Sequence, residues 1–262
     1  MKKNSAITKK SYWDLTYTDH KAVYQQLSLN DFRCYVDQLV MDKIIEYYNG
    51  GDILEVGAGN SDWLITVAEK LNPSYCAGLD YSEDGCRLLG EKSKANNLGI
   101  DVIHSDMFSP PTHILKRFDF ILSFGVVEHF KDLVEVLEAI SQFSKPEGLV
   151  FSMIPNMAGL NGVLTKLWNK DVYDIHIPHD LSSFVRGHET AGLDVVWSGY
   201  LGSTNFGVLS SCFQKNKGIN FFIYKQFTRI SKLLWLFESK VKPLPTTKIF
   251  SPYILVISRV RE

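Results

Sequence analysis

Four cysteines in 262 residues, no two of them in a C-x-x-C pair, offer neither a disulfide framework nor a thiolate metal site to read. Cys34, Cys76, Cys86 and Cys212 are expected to be reduced, and with no charged, apolar and small-residue leader ahead of them the chain is expected in the cytoplasm. No run reaches the ~18 consecutive apolar residues of a membrane span, so at most peripheral membrane contact is expected. An excess of positive charge is missing as well: 28 Lys and Arg stand against 29 Asp and Glu, and no nucleic-acid partner is expected. Internal repeats and low-complexity tracts are absent, which leaves an ordinary globular chain whose length suits one domain with elaborations.

What is present is alternation. Apolar residues recur at helical spacing from Asp31 to Tyr48 (Phe32, Tyr35, Val36, Leu39, Val40, Ile44), and Asn49-Gly50-Gly51 stops that helix. "DILEV" then begins a series of short strand-like runs separated by helical patterns: 75–80, 100–104, 118–123 and 148–154, followed later by 193–201 and 253–260. Strands alternating with helices predict βαβ units and a parallel sheet covered by helices on both faces.

The first strand runs into "DILEVGAGNSDWL" (52–64), a turn with two glycines in three positions. Gly57 and Gly59 tolerate positive φ and carry no Cβ to collide with a ligand at the carboxyl end of the sheet. A dinucleotide turn asks for a third glycine at position 62, where this chain has Asp, so an NAD-dependent oxidoreductase is the rival reading. Glu55 and Asp80 close the first two strands, Asp106 lies two residues past the third, and all three are expected to face one crevice. Asp80 can accept both hydroxyls of a ribose, and an acid at the first strand suits a cationic ligand. An adenosine bearing a sulfonium and an amino group meets both demands.

"LEVGAGNS" (54–61), "GLDYSEDGCRLL" (78–89), "HSDMF" (104–108), "FDFILSFGVVEHF" (118–130) and "KPEGLVFSMIPN" (145–156) resemble, in order and spacing, the class I S-adenosylmethionine-dependent methyltransferases. The likeness covers about residues 30–200 and is strongest to the broad small-molecule group related to the ubiquinone-biosynthesis O-methyltransferases. It implies an α/β, Rossmann-like, doubly wound sheet of seven strands in the order 3-2-1-4-5-7-6 with strand 7 antiparallel. It further implies an N-terminal tail and arm (1–30), then a methyltransferase domain (31–262) with a helical insertion at about 203–250, before the last strand. S-adenosylmethionine is the implied cofactor: Glu55, Gly57, Ala58, Gly59 and Ser61 around its methionine part, Asp80 and Tyr81 at the ribose, Asp106 and Met107 at the adenine, Ser123 and Phe124 lining the same pocket. Tyr12 and Trp13 in "SYWDL" match an aromatic arm that folds over the cofactor, with packing against the sheet edge as the alternative.

By the same resemblance, His129 in "VVEHF" lies beside the methyl-transfer point, where an imidazole can take a hydroxyl's proton. The ubiquinone enzymes bind a divalent ion through E-x-x-E-H; here Gly125 replaces the first acid, and no metal is expected. In "DVYDIHIPHDLSSF" (171–184), Tyr173, His176 and His179 are candidate substrate contacts, His179 a second catalytic candidate, and Asp180 or Ser182 the cap of the next helix. Within 220–240, Ile223, Phe227, Ile230, Leu234 and Phe237, extended by Phe222 and Leu233, form a helical stripe flanked by Lys225, Arg229, Lys232 and Lys240. That helix either docks on the domain or meets a membrane or a hydrophobic acceptor. The expected activity is methyl transfer to a small-molecule acceptor, at oxygen, by in-line displacement, the acceptor being hydrophobic or lipid-linked. Beside the oxidoreductase, a non-catalytic methyltransferase-like binding protein is the other alternative.

Overall fold

Strands covered on both faces should be buried at every position, and β1 (Ile53–Val56) is: all four residues are inaccessible. The computed structural model describes residues 6–18, 20–24, 34–213 and 217–262. In chain order the elements are α1 (Lys10–Thr18), α2 (Tyr35–Tyr47), β1, α3 (Trp63–Leu71), β2 (Cys76–Asp80), α4 (Glu83–Ala95), β3 (Ile100–His104), β4 (Phe118–Phe124), α5 (Leu133–Ser141), β5 (Ser144–Pro155), α6 (Leu160–Trp168), α7 (Lys170–Asp174), α8 (Leu181–Thr190), β6 (Leu193–Leu201), α9 (Ile219–Lys240) and β7 (Tyr253–Val260). Residues 31–33 of the helix expected from Asp31, Phe32 among them, lie outside the described residues, as do 1–5 and 25–30 of the N-terminal stretch.

The seven strands form one sheet in the order β3-β2-β1-β4-β5-β7-β6. β1 to β5 pair in parallel, and β7 runs antiparallel to both β5 and β6, as the family resemblance implies. Alternate side chains leave the sheet on opposite faces. Leu54 and Val56 join Val136, Leu137 and Ile140 of α5 and Phe184 of α8 in one layer. Ile53, Phe120 and Leu122 join Val40, Met41 and Ile44 of α2 and Leu64 and Ile65 of α3 in the other.

Helix starts are set by side chains that accept from otherwise orphaned amides, each cap being worth ~0.5–2 kcal/mol. Ser82 accepts from the Gly85 amide at 3.2 Å, and Asp132 from Val134 and Glu135 at 3.1 and 3.0 Å. Of the two candidates before α8, Asp180 is the cap, in a reciprocal box with Ser183; Ser182 donates to Asp180. Between β6 and β7 lies the helical insertion: a 3-10 turn at Phe206–Cys212 and α9, whose Phe206, Leu209, Cys212 and Tyr224 build a small core with Leu164 of α6.

Candidate active site

The turn after β1 is held by backbone and carboxylate together. Gly57 adopts φ +77°, and a Cβ there would collide with Val126 Cγ2, so this glycine is demanded by the close approach of the β4 loop as well as by its dihedral. The Gly57 and Ala58 amides donate to the Leu79 carbonyl at the end of β2. The Gly59 amide donates to Asp80 Oδ2 at 2.8 Å and the Ser82 amide to Oδ1 at 2.7 Å. Burial raises the Asp80 pKa, and those amide bonds pull against it. Each carboxylate oxygen keeps a second lone pair for a ligand hydroxyl.

A cleft of about 680 Å³ opens beyond the ends of β1 to β4. Gly57, Asp80, Tyr81, Asp106, Met107 and Phe124 line it as expected, and Trp13 of α1 covers it. Tyr17, one helical turn beyond Trp13, also covers it, its hydroxyl against Gly59; the i, i+4 spacing of two rings in "WDLTY" was the signal for it. The arm is tied down by Ser82 Oγ donating to Asp14 Oδ1 at 2.7 Å and by the Ile7 amide on the His129 carbonyl at 2.8 Å. Tyr12, by contrast, is partly exposed and meets Trp13 edge-on, away from the lining. Ala58, Gly59, Ser61 and Ser123 stand behind the lining. Ser123 is buried, with its hydroxyl unpartnered among the described residues.

One acid departs from the sequence expectation, and a second holds the loop. Glu55 does not face the crevice: it lies under the turn, accepting from Ser61 Oγ at 2.7 Å, and burial pushes it up to about 8, so it anchors the loop as a neutral acid. Asp62 turns to the fully buried Lys92, whose ammonium donates to it at 2.6 Å and to the Asn60 carbonyl at 2.9 Å. Its charge is thereby spent on tying the loop to α4. The missing third glycine is what separates this turn from a dinucleotide turn.

A second cavity of about 270 Å³ shares Gly125 and His129 with the first and is walled by Met157, Val172, Val208, Leu209 and Tyr253. Its polar lining comprises the cluster Glu128, His129 and His176 together with Asn156, Asn161, Thr165 and Ser211. His129 Nδ1 lies 2.6 Å from the Ile175 carbonyl, and His176 Nδ1 lies 2.6 Å from that of Val172. Carbonyls only accept, so each Nδ1 carries the hydrogen and each neutral ring keeps its lone pair on Nε2. Burial, reinforced by the nearby His176, pushes His129 down to about 4; burial pushes Glu128 up to about 8, and its Oε2 has no partner among the described residues. These three residues offer ligand atoms within 4.8 Å of one another. The expectation of no metal counted ligands along one loop, whereas the fold adds His176 from a distant segment. Two imidazoles and one carboxyl are a poor match to the oxygen-rich shells of magnesium or calcium and resemble sets that hold transition ions.

His179 and Tyr173 line neither cavity. His179 stacks on Phe184 at 6.4 Å, and Lys166 Nζ lies over the Tyr173 ring at 5.3 Å. The Ile177 amide donates to the Glu128 carbonyl at 2.7 Å, which pins the segment so that His176 alone of the three reaches the cavity.

The profile of the family described as "Methyltransferase domain" matches residues 33–197, spanning β1 to β5, the glycine turn and both cavities' shared residues. The chain belongs to this methyltransferase family. The demethylmenaquinone methyltransferase of Listeria welshimeri is 29% identical over 123 residues, 45% of this chain and 51% of the relative, so the chain spans about half the length of the curated relatives it matches. Among solved structures, coclaurine N-methyltransferase bound to N-methylheliamine and S-adenosylhomocysteine aligns with a TM-score of 0.60 at 15% identity, over 97% of this chain and 82% of that chain. The [4+2]-cyclase SpnF aligns at 0.62 and 14%, over 96% and 94%. At such identities the likeness is one of fold, and the cyclase illustrates that one fold hosts several chemistries.

Proposed function

We propose that this methyltransferase-family chain moves the sulfonium methyl group of S-adenosylmethionine to a hydroxyl of a small, apolar acceptor. The observation that carries the reading is the junction of the two cavities at Gly125 and His129. The larger cleft falls within the ~300–1,000 Å³ of small-molecule sites, and its Asp80, held rigid by two amides, suits a ribose. The solved relative with bound S-adenosylhomocysteine supports the same ligand. When bound, S-adenosylmethionine brings an activated methyl group with a good leaving group.

The chain's own residues then bind, align and shield. Trp13 and Tyr17 exclude water from above the cleft, while the apolar wall of the smaller cavity holds the acceptor's body. His129 presents Nε2 as an acceptor for the hydroxyl hydrogen. With its pKa near 4 it is unprotonated at neutral pH but a weak base, so its main contribution is orientation, and alignment at ~3–3.5 Å accounts for several kcal/mol of barrier. A cytoplasmic location goes with this reading, since all four cysteines are free thiols.

Calorimetry with S-adenosylhomocysteine and with NADH tests the cofactor: tight binding of the first and none of the second is expected, and the reverse would establish the oxidoreductase. Methyl-tritiated S-adenosylmethionine offered with phenolic and alcoholic acceptors tests the activity. Label should enter free hydroxyls and not their methyl ethers. Cofactor binding without transfer to any acceptor would leave a binding protein.

A further inference from the structure

We propose that α9 docks this protein on the surface of an anionic lipid bilayer. Tyr224, Ser231 and Glu238, seven residues apart, bury one face of the helix against the domain, and Phe227 packs on Phe206 with ring centroids 4.8 Å apart. Ile219, Phe222, Ile223, Ile230, Leu233 and Phe237 are left outside, from 38% exposed at Ile223 to 76% at Ile219. At 3.6 residues per turn these six fall within an arc of about 100°. The stripe recognised in the sequence is thus split: Phe227 docks, while Ile223, Ile230 and Phe237 belong to an outward apolar band.

Charge identifies what covers that band. Lys225, Arg229, Lys232 and Lys240 run along one border of it on the helical wheel, and among the described residues no carboxylate pairs with them. The single acid of α9, Glu238, is buried and accepts from the Leu244 amide at 3.0 Å. Between Lys217 and Lys242 the sequence holds six basic residues and one acid, although the whole chain carries a net −1. An apolar band bordered by cations and free of exposed acid matches acyl chains beneath anionic headgroups. Self-association fits less well, because antiparallel pairing of two copies through the band would set the two basic borders side by side. No described helix is long and apolar enough to cross a membrane, so the contact is with the surface. The inner flank of α9 packs on the Phe206–Cys212 turn, which supplies Val208 and Leu209 to the smaller cavity, so a docked helix brings that cavity beside the lipid. Docking itself does not depend on the methyl-transfer reading.

Co-sedimentation of the full chain with vesicles of phosphatidylcholine alone, and of phosphatidylcholine mixed with phosphatidylglycerol, tests the proposal. Binding to the mixed vesicles, weakened by salt, is expected. Phe222→Ser with Leu233→Ser should lower it by about tenfold per residue, and Lys225→Gln, Arg229→Gln and Lys232→Gln together by roughly 100-fold, at about fivefold per charge. All five positions are remote from both cavities, so S-adenosylhomocysteine binding should survive as evidence of folding. Equal binding to neutral and mixed vesicles, no binding to either, or full binding by the serine variant would overturn the proposal. So would sedimentation equilibrium showing a dimer that the serine variant abolishes, since the band would then belong to a second copy.

Discussion

The larger cleft and the smaller cavity meet at His129 but are assembled over different distances along the chain. In the cleft, the Gly59 amide reaches Asp80 across 21 residues, and the parallel register of β1 on β2 (Leu54 beside Ala77, Val56 beside Leu79) brings the two strand ends together. In the cavity, His129 is fixed by a carbonyl 46 residues away, and Asn156, beside it in the wall, donates to the Lys248 and Ser251 carbonyls 92 and 95 residues away. A ligand site made from strand ends is positioned by the sheet itself. One made from long connections is positioned by how those connections fold back, and can change its chemistry without disturbing the sheet.

Single substitutions should separate the two halves. The largest effect is expected at their junction: His129→Asn keeps similar size but removes the Nε2 acceptor, and kcat should fall ~10²-fold while S-adenosylhomocysteine affinity stays near the parent's. Near-parent turnover would mean that the cavity aligns its acceptor without this ring. Asp80→Ala acts on the other half, removing a charge-assisted contact worth ~1.5–3 kcal/mol, so cofactor affinity by calorimetry should fall ~10–100-fold. Unchanged affinity would move the cofactor away from the glycine turn.

A third effect belongs to both halves. Glu55 in one and Glu128 in the other are pushed by burial up to about 8, from an ordinary 4.5, so folding holds protons that the unfolded chain has released, and stability is lost as pH rises through that window. His129 and the buried His188, which burial lowers from 6.5 to about 4 and about 3, work in the opposite sense, losing stability as pH falls below 6.5. Between 4.5 and 6.5 the two pairs offset each other. From 6.5 to 8 the carboxyls act alone, at ~1.4 kcal/mol per pH unit each. Thermal unfolding should therefore come at a lower temperature at pH 8 than at pH 6.5, and Glu128→Gln, which cannot ionise, should recover about 2 kcal/mol of the loss. A midpoint as high at pH 8 would show these carboxyls to be charged in the folded protein.

The smallest effect is expected from chelation. The Glu128, His129 and His176 donors do not suit magnesium, so dialysis against EDTA followed by magnesium should leave methyl transfer unchanged. Activity lost on dialysis and restored by zinc or manganese would convert the polar end of the cavity into a metal centre and sharpen its contrast with the cleft.

Much of the cleft was legible in the linear chain because its residues follow strand ends at short, regular offsets: Gly57, Asp80 and Asp106 needed only the alternation of strands and helices to be brought together, while Phe124 came from the family resemblance. Where that logic stopped, it stopped for a reason. Strand ends do not say on which side of the sheet a residue emerges, and Glu55 emerges under the turn, while Asp62 found a buried Lys92 that lies 30 residues away. Of the histidine pair in "DIHIPHD" the resemblance favoured His179 as the second catalytic candidate, whereas the docking of Ile177 on Glu128 brings His176 into the cavity and leaves His179 out.

The sequence by itself therefore determined the strands and their parallel core, the glycine turn, the acid at the end of β2 and the amphipathic character of 220–240, because each is written in local periodicity or in residues adjacent to a strand; the order of the late strands came from the family resemblance. Only the tertiary structure decided which acids line the cleft, that Tyr17 joins Trp13 over it, that Glu128, His129 and His176 converge, and which edge of α9 stays outside. Those outcomes depend on contacts between segments tens of residues apart, where burial and the pairing of polar groups, rather than local pattern, select the arrangement.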